Sequence, residues 1–485
     1  MKLLLINPYF GQGESAETEG AVHSPPLGLG FIGTYVRDHT NCEVEIIDPI
    51  PQGLSEAAVL DKVRKADIAG LTCYTDTRFY CFDFAGKIKE TNPACKLIIG
   101  GPHVYSLDRL ILKHYPFIDA LVRGEGEETM VELINAKAYK DIRGITWKDS
   151  SGDIIRNPDR GFIKDIDSLY VDYALLPDMS LYKPDIEAPI DLRRLKTAYM
   201  IESRGCPFQC TYCANEHWER TWRAVSPGKI VERMEHLIKT YDIEYFRFYD
   251  DLFTANKKRV LEFCDALKEK KLNIKFRILV RVNTSKEVLE ALKEAGCESV
   301  GFGIESGSDK ILKRIQKGIT RQQIIDTIKV CKDLHLWVVG SFIVSLPDET
   351  KEEFKETLAL TTLPDTFQTN ILHLFPATTI YDELKARKEI DDEVWFDRSR
   401  YDGLVFYCKD NFPSANFSLD EAKWLALYTR YYQFIHKPSR VIKQHGILLG
   451  LVIVFMAIAD IPLKGRLFNF AYQYRNIYRK FTMRG

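Results

Sequence analysis

The stretch TAYMIESRGCPFQCTYC, residues 197–213, sets an apolar, β-prone run directly ahead of three cysteines. These are Cys206, Cys210 and Cys213, in the spacing CxxxCxxC. TAYMIES (197–203) reads as a strand, so the cysteines begin where a strand ends. Three thiolates leave a metal centre one ligand short. They can hold three irons of a [4Fe–4S] cube, whose fourth iron then needs a non-protein ligand; structural zinc would instead need a fourth side chain such as His217. A disulfide is at odds with the reducing, cytosolic compartment indicated by eleven cysteines that lack the dense spacing of a secreted scaffold.

The same strand opens a repeating pattern. EYFRFYD (244–250), FRILVRV (276–282), ESVGFGI (298–304), WVVGSFIV (337–344) and TNILHLF (369–375) read as further strands. Helical stretches such as PGKIVERMEHLIKTY and SKEVLEALKEAG separate them. Six strand–helix units within 191–395 predict an α/β architecture, a full or partial (β/α)6 TIM-type barrel with its chemistry at the C-terminal strand ends. The cysteine run sits at the first of those ends.

Upstream, residues 1–145 alternate KLLLIN, EVEIID (43–48), DIAGLT (67–72), KLIIGG (96–101) and IDALVRG (118–124) with helical segments. Buried strands separated by helices predict a doubly wound parallel sheet, which binds ligands beyond the carboxyl ends of its strands. Those ends carry Asn7 and Pro8, Thr72, Gly100, Gly101 and His103, and RGEGE (123–127) with Gly124 and Glu125. Glycines there let a ligand approach the backbone. Residues 146–190 read as a linker and 396–485 as a mostly helical region.

Composition narrows the class. At 485 residues the chain has room for two to four domains, and 45% hydrophobic with 28% charged residues suits a folded one. A net charge of −1 offers no bulk basic field for nucleic acid. The four apolar residues before Asn7-Pro8 are too few for a signal-peptide core. One asymmetry stands out: from Lys437 onward there are nine Lys or Arg residues and a single acid, Asp460. Within that region ILLGLVIVFMAIA (447–459) is too short to span a bilayer, which takes about 20 apolar residues. The flanking cations and the aromatics of LFNFAYQYRNIYRKF suit a segment lying at a membrane surface; a buried core helix is the other reading.

The cysteine segment resembles the signature of radical S-adenosylmethionine (SAM) enzymes, with Tyr212 before the last cysteine. That resemblance implies a [4Fe–4S] cluster whose open iron is chelated by SAM, and cleavage of SAM to a 5′-deoxyadenosyl radical. Further segments match in order. FYDDLFT (248–254) resembles the acidic end of the second strand, implying that Asp250 and Asp251 orient SAM, and RILVRVN resembles the third-strand motif at Arg281. GFGIESGSD (301–309) resembles the fourth-strand SAM-contact motif, with Glu305 and Ser306. SFIVSLPDET and LFPATTIY resemble the fifth- and sixth-strand motifs, with Ser345, Asp348 and Ala377 standing where glycines are common. Taken singly, the acids read as helix caps or turns and the arginine as a barrel ion pair. Their order along six strand ends is what the resemblance rests on.

A doubly wound domain ahead of such a barrel resembles the cobalamin-binding class of radical SAM enzymes, including the anaerobic magnesium-protoporphyrin ester cyclase group. PPLGLGFIGTYVRDH (25–39), GGPHV (100–104) and VRGEGE (122–127) carry the match. The Asp-x-His-x-x-Gly signature for a lower axial histidine is absent from the first 150 residues, and His103 is a poor substitute for it. The implied activity is C-methylation of an unactivated carbon, whose C–H bond is too weakly acidic for side chains alone. Ring closure, oxidation or carbon–carbon coupling without methyl transfer is the second reading of the resemblance, and the cysteines alone admit a non-catalytic iron–sulfur or zinc module. The basic, apolar tail suggests a lipid or tetrapyrrole substrate and a cytoplasmic enzyme peripheral to the inner membrane face. Reduced ferredoxin or flavodoxin is the expected electron donor.

Overall fold

Leu3, Leu4, Leu5 and Ile6 are all buried, so the first strand is covered on both faces, as only a parallel sheet between helix layers requires. In the computed structural model, which describes residues 1–8, 24–182, 189, 191–215, 219–400, 414, 416–439, 447–462 and 464, that strand is β1 (Lys2–Ile6). It pairs in parallel with β2 (Glu43–Ile47) on one side and β3 (Ile68–Thr72) on the other. β4 (Lys96–Gly100) and β5 (Ala120–Val122) continue the parallel sheet. Strand order therefore reverses at β1, and a crevice opens beyond the carboxyl ends there.

The sheet does not stop at residue 145. β6 (Ile145–Lys148) and β7 (Ile154–Arg156) add to it antiparallel, occupying part of the expected linker. Arg123, fully buried, ties them on: its Nε donates to Asp159 (3.0 Å) and its Nη2 to the Asn157 carbonyl (2.6 Å). A three- to four-residue strand pair joined by a polar turn carries too little periodicity to be seen in sequence.

The second sheet is six-stranded and wholly parallel. It runs β8 (Thr197–Met200), β11 (Tyr245–Phe248), β12 (Lys275–Val280), β13 (Cys297–Glu305), β14 (Trp337–Val344) and β15 (Thr366–Ile371), each beside the next. Between β8 and β11 a small antiparallel ladder joins β9 (Ser203–Arg204) to β10 (Arg223–Ala224). The sequential order makes an open, partial barrel. Alternate residues of each strand point outward: Phe246, Phe248 and Phe276 pack with Phe263 of the covering helix, ring centroids 5.9 Å apart for Phe248–Phe263. β15 lies three residues upstream of the expected 369–375, because the apolar Leu372 and Leu374 belong to the loop beyond it.

A helix, Leu419–His436, opens with a Ser418–Glu421 capping box and lies on the β15 edge, where Thr429 donates to Thr369 (2.8 Å). A second helix, Ile447–Asp460, packs on the first. The rest of the basic tail, from 465 onward, lies outside the described residues.

Ser345, Asp348 and Ala377 adopt φ of 64°, 64° and 60°. The backbone there keeps the left-handed conformation that glycine would favour, although no glycine is present. Asp348 gains an ion pair with Arg314 (2.7 Å), whereas Ala377 has no polar side chain to compensate. A left-handed L-residue costs about 1 kcal/mol or more. Ala377→Gly should raise the thermal unfolding midpoint by about 2 °C, glycine's extra unfolded-state freedom offsetting part of the gain. A lower midpoint in scanning calorimetry would show that the turn carries no such strain.

Candidate active site

Each cysteine is placed by the loop that leaves β9. Gly205, in a left-handed turn at φ 83°, starts it, and its N–H donates to Asp251 Oδ2 (3.2 Å). Thr211 holds its middle: its N–H reaches the Ile315 carbonyl, and its carbonyl accepts from the Ile380 N–H, both at 3.1 Å. Asn215 closes the loop by donating to the Cys206 carbonyl (2.5 Å). Cys206, Cys210 and Cys213 are free thiols, and all three line one cavity of about 640 Å³ at the barrel mouth. Burial pushes the Cys206 thiol up, and a bound metal would favour its thiolate. Among the described residues no three His, Cys, Asp or Glu side chains converge on one ion-sized point. His217, the candidate fourth zinc ligand, lies outside the described residues.

Around the thiols stands a polar triad whose two charged members, Glu305 and Lys317, are buried. Tyr212 donates to Glu305 Oε1 (3.0 Å), and Lys317 Nζ donates to the same oxygen (2.8 Å) and to the Tyr212 hydroxyl (3.1 Å). Glu305 takes φ 65°, a strained conformation that turns its carboxylate into the cavity. Gly303 makes room for it: a Cβ there would come within 2.5 Å of Glu305 Oε1 and 2.8 Å of Lys317 Nζ. Burial, then the Glu305 charge, raises the Tyr212 phenol well above its ordinary range, so it stays a proton donor. Arg281 stacks on Phe208, its guanidinium carbon 3.6 Å from the ring centroid, and donates to the Lys317 carbonyl.

The adjacent acids divide. Asp251 faces the cavity, while Asp250 turns away, its Oδ1 accepting from the Glu202 N–H (3.1 Å) and the Ser203 hydroxyl. Burial pushes Asp250 up to about 6 against those two bonds. It serves the β9 turn rather than the cavity. Ser306 also turns away, fully buried against Thr357 (3.1 Å).

A second cavity, about 400 Å³, lies beyond the carboxyl ends of β3, β4 and β5. Thr72, Gly100, Gly101, Gly124 and Glu125 line it, as expected from the sequence. A Cβ on Gly101 would meet the Cys73 carbonyl at 2.6 Å, whereas one on Gly28 or Gly124 would meet nothing within 4 Å and so would fill the cavity. The lining is largely bare backbone and apolar side chains, fit for a large flat ligand. Glu125 is drawn into ion pairs with Arg204 (2.6 Å) and Arg223 (2.9 Å), which hold its carboxyl below the usual range although burial opposes them. Asn7 and Pro8 lie outside the lining; Asn7 donates to Asp48 (3.1 Å). His103 is likewise outside it, fully buried beside Phe82 and Trp395 with Nδ1 against the Thr75 hydroxyl (3.2 Å). Burial, then the Arg78 charge, lowers its imidazole well below the ordinary value. A buried neutral imidazole is part of the core, and no described histidine lines this cavity.

Pro102 and Asp251 line both cavities, so the two adjoin. Sequence reading missed Lys317, Arg204 and the lumen arginines Arg247 and Arg277. A lone Lys before Gly318, or an arginine within a strand, has no local pattern that distinguishes it from a surface cation.

Comparison with known proteins agrees with this division. Residues 200–361 match the radical SAM superfamily model and residues 18–134 the B12 binding domain model. An uncharacterized methyltransferase of Pyrococcus horikoshii is 35% identical over 470 residues, 93% of this chain and 96% of the relative. The anaerobic magnesium-protoporphyrin IX monomethyl ester cyclase of Rubrivivax gelatinosus is 29% identical over 406 residues, 81% of this chain and 71% of that protein. A radical SAM methyltransferase from Kitasatospora setae shares the fold at TM-score 0.64 and 17% identity, over 80% of this chain and 76% of that one.

Anaerobic reconstitution of Cys206→Ala should leave no visible cluster absorbance, while wild type acquires it; equal absorbance would move the cluster elsewhere. Cob(II)inamide, which has no benzimidazole of its own, bound to the full chain should give an EPR spectrum without nitrogen superhyperfine splitting. A nitrogen-split signal would place an axial imidazole where none of the described residues supplies one.

Proposed function

We propose that this chain, which belongs to the cobalamin-binding radical SAM family, methylates an unactivated carbon of a lipophilic small molecule, a lipid or a tetrapyrrole. Its cofactors are a [4Fe–4S] cluster, SAM and cobalamin. The observation that carries the reading is the pair of adjoining cavities, one walled by three thiols and one floored by glycines, meeting at Pro102 and Asp251. Bound there, the cluster and SAM supply a hydrogen-abstracting carbon radical and cobalamin supplies a transferable methyl group.

The chain's own residues provide placement and exclusion of water. Cys206, Cys210 and Cys213 would hold three irons and leave the fourth to SAM. Tyr212, Glu305 and Lys317 form a rigid polar wall whose charges balance, so a ligand meets donors already aimed and no side chain must be reordered. Asp251, anchored on the Gly205 N–H, stands at the junction, where it can orient a cationic group. Arg281, braced by Phe208, closes the third-strand side. Across the junction, Phe31, Ile201 and Tyr249 cover the glycine floor with apolar surface, keeping water from a reactive carbon. Reduced ferredoxin or flavodoxin would deliver the electron.

Two tests follow from these placements. Lys317→Met strands the buried Glu305 carboxylate without its cation, so SAM affinity should fall about tenfold while cluster absorbance persists. An unchanged SAM affinity in anaerobic equilibrium dialysis would remove the triad from the site. For the reaction, product formed with methyl-deuterated SAM should retain a labelled methyl and be accompanied by 5′-deoxyadenosine. The 29% identity to a protein named as a cyclase favours one second reading, ring closure without methyl transfer. Unlabelled, oxidised product with 5′-deoxyadenosine would establish that reading instead.

A further inference from the structure

The helix Ile447–Asp460 is fourteen residues long, about 21 Å at 1.5 Å per residue, against a hydrocarbon core of about 30 Å. No helix among the described residues is long and apolar enough to cross a membrane. Over residues 451–460, whose side chains are described, burial is nevertheless inverted. Leu451, Val452, Phe455, Met456 and Ile458 are exposed, Phe455 at 71%. At 3.6 residues per turn these five fall within an arc of about 160°. Ala457 and Asp460, on the other side, are buried at 2% and 1%.

A helix packed on a soluble protein normally turns its apolar stripe inward. Here a polar contact sets the rotation: the Tyr431 hydroxyl donates to Asp460 Oδ2 (2.7 Å), holding the carboxylate against the helix Leu419–His436. The apolar arc is thereby directed outward. Contiguous exposed apolar surface of this kind marks an interaction site.

Charge identifies the occupant. The chain from Lys437 onward carries nine cations and one acid, and that acid is Asp460 itself, spent on Tyr431. In sequence the segment is therefore cationic without offset, and Lys464, just past the helix, is exposed. A second copy of this chain would bring like charge against like. Apolar side chains flanked by cations and aromatics instead match the layered chemistry of an anionic bilayer, acyl carbon beneath phosphate.

We propose that the helix Ile447–Asp460 is a docking face for an anionic lipid surface, lying in the interface plane with Leu451, Phe455 and Ile458 directed into it. The helix beneath it, Leu419–His436, packs on β15, whose Gln368 lines the cluster cavity. One helix layer thus separates the bilayer from the edge strand of the half-barrel. This docking stands apart from the methyl-transfer reading, since it needs no cofactor and no turnover.

Cosedimentation of the full chain with vesicles tests it. Wild type should pellet with phosphatidylglycerol vesicles, should largely remain in solution with pure phosphatidylcholine, and should be released as salt rises. Phe455→Asp with Leu451→Asp should lower partitioning about tenfold or more, at surface positions whose substitution leaves the fold intact by circular dichroism. Wild type remaining in the supernatant, or variants that partition equally, would overturn the proposal. So would a concentration-dependent dimer that Phe455→Asp converts to monomer, since a second copy would then own the face.

Discussion

One guanidinium holds the two halves of this protein in register. Arg204 sits two residues before the first cluster cysteine, and its side chain crosses to the N-terminal sheet, where Nη1 meets Glu125 (2.6 Å) and Nη2 meets Glu127 (2.5 Å). Its guanidinium also stacks over Phe31, 4.9 Å from the ring centroid. Arg223, from the strand paired with β9, joins the same Glu125 carboxylate. All four charged groups are largely withdrawn from water, so their desolvation must be met by mutual attraction and a complete set of hydrogen bonds. Glu125 gains a third donor, the Ile163 N–H (2.7 Å). Such a buried network tolerates little displacement, and little displacement is what two cofactors on separate domains require.

Everything near the chemistry is tied to that clamp through short lengths of chain. Moving along the loop from Arg204, the backbone reaches Gly205, then the three thiols, with Asp251 pinned to the Gly205 N–H. Moving from Glu125, it reaches Gly124 and the glycine floor of the other cavity. The polar wall of Tyr212, Glu305 and Lys317 is then fixed from the barrel side. Its cost is local: Glu305 lies in a left-handed conformation, and the barrel lumen must stay open at Gly303. The same economy explains Ser345, Asp348 and Ala377. The loops after β14 and β15 need left-handed corners, and the surrounding packing enforces them whether or not glycine is present.

The outer helices follow a different logic. Helices over the barrel bury apolar faces against β-strands, as hydrophobic burial demands. Along the described side chains of the helix Ile447–Asp460, residues 451–460, the buried ones are a carboxylate and an alanine, and five large apolar ones lie exposed. Its orientation is decided by one hydrogen bond between Tyr431 and Asp460, not by area. Water is a poor solvent for that surface, whereas a lipid interface is a good one.

Much of this was legible in the residues alone. Short apolar, β-prone runs alternating with 3.6-period helices pointed to the two parallel sheets, because a strand apolar on both faces must be covered on both. The CxxxCxxC spacing singled out the three thiols that meet at the barrel mouth, since three thiolates leave a metal centre one ligand short. Glycines at the strand ends marked the second cavity, since bare backbone is what a large ligand can approach. What the sequence could not carry was the meaning of single charges. Asp250 and Asp251 are neighbours of equal chemistry, yet one supports a turn and the other faces the cavity. Glu125 lines the second cavity as expected, yet its carboxylate also anchors Arg204, 79 residues away. His103 was expected at the cofactor and lies sealed behind Phe82 and Trp395. A carboxylate, guanidinium or imidazole acts through partners brought from distant strands, and only the folded chain decides which partners those are.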